Sequence, residues 1–115
     1  EGWHIPSENE WKSLIDFVGG NEIAANKLKD NSSEYWKNNL NSTDNSSLFT
    51  ALPGGSRTSF GNDYGYETEA YFWSSTETIR NHAYHLYLKS GDSLAFVLGH
   101  QDSKRFGYSI RCLKD

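Results

Sequence analysis

The amino-acid sequence predicts an α+β fold, with two amino-terminal helices packed on a small antiparallel sheet and long loops between the elements. Three observations lead to it. A helix-capping motif and a helical apolar stripe occupy the first twenty residues, a run of strand patterns separated by turns spans residues 70–113, and 115 residues suffice for one domain. Helices that precede a run of antiparallel strands are typical of the α+β class. Residues 1–115 are therefore predicted to form a single domain.

The first helix is predicted from a capping box. Ser7 is followed three residues later by Glu10, so each side chain can bind the backbone N–H of the other. Pro6 holds the chain extended before the cap, and residues 3–5 form a short lead-in strand. Apolar side chains follow at the spacing i, i+3, i+4, i+7, namely Trp11, Leu14, Ile15 and Val18. The principal helix is thus expected from residue 7 to about 19, where two glycines end it.

A second helix is predicted over residues 22–29, with Asn21 as its cap and an apolar face of Ile23, Ala24 and Leu28. Residues 30–47 contain Asn, Ser and Asp without any period. They predict a long surface loop with one aromatic anchor, at Tyr35-Trp36. A loop of this length is also a candidate for function.

The rest of the chain predicts strands and turns. Residues 48–52 form a short strand, residues 53–55 (Pro-Gly-Gly) turn the chain, and residues 56–69 form a second loop. Strands follow at 70–76, 83–89, 94–98 and 107–113, with a hairpin turn at Ser90-Gly91-Asp92. In the last strand Cys112 shares one face with Tyr108 and Ile110, which predicts a largely buried thiol.

Composition excludes several partners. The formal net charge of −4 offers no basic surface for nucleic acid. No apolar run approaches the length of a membrane-spanning helix. Four Trp, seven Tyr and six Phe supply enough buried area for a core despite few aliphatic residues. We expect Trp3, Trp11 and Trp73 to lie in that core.

Four separated segments resemble the Fibrobacter succinogenes major paralogous domain. They are Gly-Trp-His-Ile-Pro-Ser-x-x-Glu-Trp (2–11), Ala-Leu-Pro-Gly-Gly (51–55), Phe-Trp-Ser-Ser-Thr-Glu (72–77) and Gly-Tyr-Ser-Ile-Arg-Cys-Leu-Lys-Asp (107–115). The resemblance implies a C-type-lectin-like fold, distantly similar to the formylglycine-generating (sulfatase-modifying) enzymes. It also implies an exported, often surface-attached protein of which this chain is a fragment. Members commonly carry a cysteine just upstream, so Cys112 is expected to form half of a disulfide in the longer protein if a cysteine precedes Glu1.

Catalytic and metal sites find little support in the sequence. His82 and His85 are three apart, which on a strand places them on opposite faces, and His100 stands alone. We expect these to be solvated histidines, with no metal and no cofactor. His4 is expected to make structural hydrogen bonds. Formylglycine-generating enzymes need additional cysteines to bind copper, whereas this chain has Cys112 alone. No catalytic residue is predicted.

The loop at residues 56–69 is the predicted ligand site. Tyr64 and Tyr66 are expected to stack on a ligand, with Asn62 and Asp63 as polar contacts, because tyrosines two apart in an extended segment can face the same side. The resemblance also implies that ligands meet the long loop region. The Glu-Pro-Asn and Gln-Pro-Asp tripeptides of calcium-dependent lectins are absent from the sequence, so calcium is not expected.

These observations together predict a non-catalytic binding or adhesion module of a bacterial surface or secreted protein. Its expected partner is a glycan, by way of carbohydrate binding, or a surface protein, met outside the cell or at its surface without direct membrane insertion. Two alternatives stay open: an enzyme related to the formylglycine-generating enzymes, and a purely structural domain.

Overall fold

Two short helices pack on an antiparallel sheet in the computed structural model, which describes residues 1–99 and 103–115. The helices are α1 (Glu8–Phe17) and α2 (Ala24–Leu28). The strands are β1 (Trp3–His4), β2 (Ser56–Arg57), β3 (Asp63–Tyr64), β4 (Glu69–Glu77), β5 (Ala83–Lys89), β6 (Ala95–Leu98) and β7 (Leu113–Lys114). They form the antiparallel sheets β1-β7, β2-β3 and β4-β5-β6. The predicted α+β class, with helices ahead of antiparallel sheets, is confirmed.

The capping box at the start of α1 is confirmed. Glu10 N donates to Ser7 Oγ at 3.2 Å, and Ser7 N donates to Glu10 Oε2 at 2.8 Å. Trp11 and Ile15 are buried, while Leu14 and Val18 are partly buried against the same core. The helix ends at Phe17, before two glycines in left-handed backbone.

The second helix is shorter than predicted. It begins at Ala24 instead of residue 22, after a turn in which Ala24 N donates to Gly20 O at 3.0 Å. The predicted cap Asn21 is wrong, because Ile23 occupies the N-cap position and makes no side-chain cap. Ile23 is also exposed instead of lying on the apolar face, whereas Ala24 and Leu28 are buried as expected.

The predicted strand at residues 48–52 is wrong. Leu48 and Thr50 have φ values of 60° and 56°, outside the extended region. Asn45 explains this turn, since its Oδ1 accepts from Thr50 N and its Nδ2 donates to Thr50 Oγ1, both at 2.9 Å. Residues 30–47 form turns and irregular backbone, as predicted. Their anchor is Trp36, which is 3% exposed and donates from Nε1 to Ala51 O at 2.9 Å.

The core lies between the helices and one face of the β4-β5-β6 sheet. Trp11 packs edge-on against Phe49, and Phe49 against Phe72, with ring centroids 6.0 and 5.6 Å apart. Trp3, predicted for this core, is 60% exposed. The reason is that β1 pairs with β7 in a two-stranded sheet of its own. Trp73, also predicted for the core, is half-buried on the opposite face of the sheet.

The predicted strand at 107–113 is broken into separate pieces. Gly107 pairs with Arg57, and Ser109 pairs with Phe72 of β4. The strand β7 then begins at Leu113 and pairs with β1 in the register His4↔Leu113. Among the described residues no helix is long and apolar enough to cross a membrane.

His4 joins the two ends of the chain to the start of α1, as the prediction of a structural role requires. Its Nδ1 lies 2.7 Å from Asp115 Oδ1, and its Nε2 lies 2.9 Å from Glu10 Oε1. A carboxylate at each ring nitrogen favours the doubly protonated imidazolium. The hydrogen bond to Asp115, followed by that to Glu10, raises the pKa of His4 above 6.5. The Ser7 amide, followed by His4, lowers the pKa of Glu10.

We expect stability to depend on pH through His4. A raised pKa in the folded state means that the contribution is fully present below pH 6.5 and is lost as pH rises through the folded value. His4→Gln should therefore flatten the fall in the urea midpoint above pH 6.5. His82 is a half-buried histidine apart from His4, Glu10 and Asp115. The urea midpoint of His82→Gln should therefore fall above pH 6.5 as it does in the wild type. Equal pH profiles for wild type and His4→Gln would contradict the assignment.

Candidate functional site

The outer face of the β4-β5-β6 sheet carries a set of aromatic side chains. In the β4-β5 register Tyr71 lies opposite Tyr87, and Trp73 lies opposite His85. Alternate residues such as Phe72 and Leu86 point to the core. The ring centroids of Tyr71 and Tyr87 are 4.9 Å apart. One strand pattern thus supplies a core on one side and a ring surface on the other.

Tyr108 extends this ring surface beyond the edge of β4. Its neighbour Ser109 donates from N to Tyr71 O and accepts at O from Trp73 N, both at 3.0 Å. Tyr108 consequently stacks on Tyr71 with centroids 4.7 Å apart and an interplanar angle of 14°. We call the resulting series the aromatic row; its members are Phe106, Tyr108, Tyr71, Tyr87 and Phe96.

Glu69 fixes the orientation of two rings in the aromatic row. Its carboxylate accepts from Tyr87 Oη at 3.0 Å and from Tyr71 Oη, and the residue is 8% exposed. Burial, followed by the charge of Glu69, raises the pKa of Tyr87. The Tyr87 phenol therefore stays protonated as a donor, and both rings are held in place before any ligand arrives.

A groove of about 350 Å³ lies next to Tyr108 of the aromatic row. Its lining includes Arg57, Asp63, Tyr64, Tyr66 and Tyr108. The β2-β3 hairpin supplies Arg57 and Asp63, whose Nε and Oδ1 atoms are 3.0 Å apart. Backbone bonds in both directions between Arg57 and Gly107, at 2.9 and 2.8 Å, attach the hairpin to the segment that carries Tyr108.

Gly55 allows the groove to form. It has a φ of +64°, and a Cβ atom there would lie 2.4 Å from Tyr64 O and 2.8 Å from Tyr66 N. The backbone of the tyrosine segment therefore approaches residue 55 more closely than any side chain would permit.

Three of the four predicted site residues line this groove. Tyr64 is 60% exposed and Tyr66 is 72% exposed, and Asp63 joins them. Asn62 is not part of the lining; its backbone instead closes the turn with Thr58, whose N donates to Asn62 O at 2.8 Å. Sequence reasoning missed Arg57 and Tyr108. The alternation of aromatic with apolar residues in β4 was the signal for a two-faced sheet that could have indicated the aromatic row.

Residues 1–114 match the protein family described as the Fibrobacter succinogenes major domain. The chain belongs to this family. No curated protein and no solved structure matches it.

The histidines of this Fibrobacter succinogenes major domain do not gather at one point in the described structure. His85 is 1% exposed beneath the ring of Tyr108, so its predicted solvation is wrong. Trp73 and Tyr71 also contact it, because their strand lies directly beside β5. His82 precedes β5 and is half-buried, and His100 falls outside the described residues. Within 1–99 and 103–115, no group of three or more His, Cys, Asp or Glu could hold a metal ion.

Cys112 is exposed, so its predicted burial is wrong. Alternation buries a side chain when the sheet packs on a core, but residue 112 lies just before β7, the strand that forms a separate ribbon with β1. Ile110, on the same predicted face, is also exposed. Cys112 lines a cavity of about 250 Å³ together with Trp11 and Leu14 of α1.

We expect the Cys112 thiol of the isolated domain to react readily with Ellman's reagent under native conditions. Reactivity follows exposure of the thiol and its thiolate fraction, and this thiol is accessible in the folded state. The rate in buffer should lie within a few-fold of the rate in denaturant. A native rate lower by orders of magnitude would contradict the exposed position.

Proposed function

We propose that the domain is a non-catalytic binding module that takes carbohydrate in the groove at residues 63–66. The observation that carries the proposal is the continuity of the aromatic row with the groove: Tyr108 stacks on Tyr71 and also lines the groove. Tyr64 and Tyr66 line the same groove with most of their surface exposed. A ligand in the groove therefore meets rings from two separate segments of the chain.

The chemistry of the groove suits a sugar. Aromatic faces pack on the C–H faces of a pyranose, and phenol groups add hydrogen bonds at the ring edge. Arg57 and Asp63 add donors and acceptors at the same place, and their mutual ion pair leaves the groove without strong net charge. A volume of about 350 Å³ lies within the usual range of small-molecule sites.

We also propose a fold relationship and a location for this module. The family, together with the long loops that precede β4, supports a C-type-lectin-like arrangement. Such a module acts outside the cell or at its surface, as part of a larger exported protein whose adhesion to glycans it provides.

The test is a glycan-binding screen followed by titration of the best ligand. Tyr64→Ala combined with Tyr66→Ala should weaken binding on the order of tenfold or more, since each ring contact is worth about 0.5–1.5 kcal/mol. Phe60→Ala is the matched control, because Phe60 is 91% exposed in the same loop but does not line the groove. Circular dichroism verifies the fold of each variant. Affinity that the double variant leaves unchanged would place the site elsewhere.

A further inference from the structure

A second concavity lies beside the groove and belongs to the other long loop. Its volume is about 500 Å³, and its lining comes from residues 31–41 and Thr43, with Glu67 from the loop that carries Tyr64 and Tyr66. Amide side chains of Asn31, Asn38 and Asn41 line it together with the ring of Tyr35, which is 43% exposed. We call it the amide cavity.

The amide cavity is fixed to the groove loop at two points. Lys37 N donates to Glu67 O at 2.9 Å, and Lys37 Nζ lies 3.0 Å from Glu67 Oε2. Behind them Trp36 is 3% exposed and donates to Ala51 O, so the base of the loop is anchored in the core. The cavity is therefore held in a defined position relative to residues 63–67.

The two concavities share one wall. Tyr66 lines the groove, and the next residue, Glu67, lines the amide cavity. Two consecutive residues thus contribute to both spaces. A ligand that fills the groove therefore reaches the amide cavity by crossing the chain at these two residues.

The lining of the amide cavity suits a neutral, hydroxyl-rich ligand. Asparagine amides donate and accept hydrogen bonds at once, which matches the double capacity of a sugar hydroxyl. The charges of Lys37 and Glu67 are paired with each other, and Glu34 adds a further carboxylate to the lining, which disfavours an anionic ligand. The exposed ring of Tyr35 offers a stacking surface in the same space.

We propose that the amide cavity is a second subsite, so that the domain binds a neutral oligosaccharide long enough to cross the wall at residues 66–67. This inference rests on the proposed function of the groove and adds the length and charge of its ligand. One or two sugar units occupy the groove, and the units that follow occupy the amide cavity.

The test uses neutral gluco-, xylo- and manno-oligosaccharides of two to six units, titrated against the domain by calorimetry. Affinity should rise by about tenfold between two and six units in the series that binds. Tyr35→Ala should lower affinity for the six-unit ligand about two- to tenfold and leave the two-unit ligand unaffected. Asn38→Gly removes an amide while keeping the left-handed backbone, whose φ is 51°. This variant should also lower the affinity for the six-unit ligand.

Phe17→Ala serves as the matched control, because Phe17 is an exposed ring on α1 outside both concavities. Affinity that is equal for two and six units, and insensitive to Tyr35→Ala, overturns the second subsite and leaves the groove intact. Six-unit binding that depends on Tyr35 but not on Tyr64 and Tyr66 overturns the groove instead. If none of the three series binds, the proposal of a neutral oligosaccharide ligand is overturned for both the groove and the amide cavity.

Discussion

Gly55→Ala is expected to lower the free energy of unfolding by about 2–5 kcal/mol and to abolish ligand binding in the groove. An alanine in the left-handed region costs about 1–2 kcal/mol, and overpacking adds about 1–3 kcal/mol. The new methyl group would lie 2.4 Å from Tyr64 O and 2.9 Å from Gly65 C, so backbone must move. That movement displaces Tyr64 and Tyr66 together. Urea unfolding and a binding titration measure the two effects.

Gly61→Ala is a control that has the free-energy cost of an alanine in left-handed backbone but no steric clash of its Cβ atom. Gly61 has a φ of +86°, yet a Cβ atom there meets nothing within 4 Å. We expect it to cost about 1–2 kcal/mol and to leave binding unchanged. If Gly55→Ala were as stable as Gly61→Ala and bound ligand normally, the close approach at residue 55 would not shape the groove.

Lys29→Ala is expected to lower the free energy of unfolding by about 2–5 kcal/mol, the range for truncation of a long buried side chain. Lys29 is 0% exposed, and its Nζ donates to Lys89 O at 3.0 Å and to Asp92 O at 2.9 Å. The same ammonium lies 5.1 Å from the ring of Trp36. It therefore ties the end of α2 to the β5-β6 turn and to the anchor of the first long loop. Thermal and urea unfolding give the measurement, and a loss below 1 kcal/mol would contradict it.

The same lysine gives stability a second dependence on pH. Burial lowers the pKa of Lys29 from 10.5 to about 8, with an opposing effect from Asp92. Between these values the unfolded chain binds a proton that the folded chain does not, so the contribution to stability rises with pH from about 8 to 10.5. Lys29→Met keeps the volume and removes the charge, so this rise should disappear. Persistence of the rise in Lys29→Met would assign it to other groups.

Local signals explain which parts of the fold could be predicted from sequence. The start of α1 depends on Ser7 and Glu10, which are close in the chain, so the motif contains the whole interaction. The strands β4 and β5 agree with the predicted bounds to within a few residues, because the first is rich in aromatic, β-favouring residues and the second alternates in sequence. The strand predicted at 48–52 failed because Asn45 competes for the backbone of Thr50.

Burial at the end of the chain could not be predicted in the same way. Alternation in residues 107–113 indicates two faces, but whether either face is covered depends on which strand pairs with it. Here Gly107 pairs with Arg57 and Ser109 pairs with Phe72, whereas β7 pairs with β1 in a ribbon apart from the core sheet. Trp3 in this ribbon and Cys112 just before it are both exposed. The strands β1 and β7 are more than a hundred residues apart in sequence.

The residues of the groove could likewise be predicted from the sequence only in part. Asp63, Tyr64 and Tyr66 are neighbours in sequence, and their shared location follows from one short segment. Arg57 reaches them through the hairpin register Arg57↔Asp63. Tyr108 arrives through hydrogen bonds between its neighbour Ser109 and β4, a contact with no signature in either segment alone.

The pairing of β1 with β7 also decides how the domain responds to mechanical load. Trp3 lies opposite Lys114 in an antiparallel ladder, and Asp115 N donates to Gly2 O at 3.1 Å, so the two ends lie side by side. A force that draws residues 1 and 115 apart breaks these bonds one after another, like a zipper, instead of shearing them together. We expect single-molecule stretching to show a short extension at low force before the main rupture. The paired ends thus yield first, while the sheet and groove stay folded.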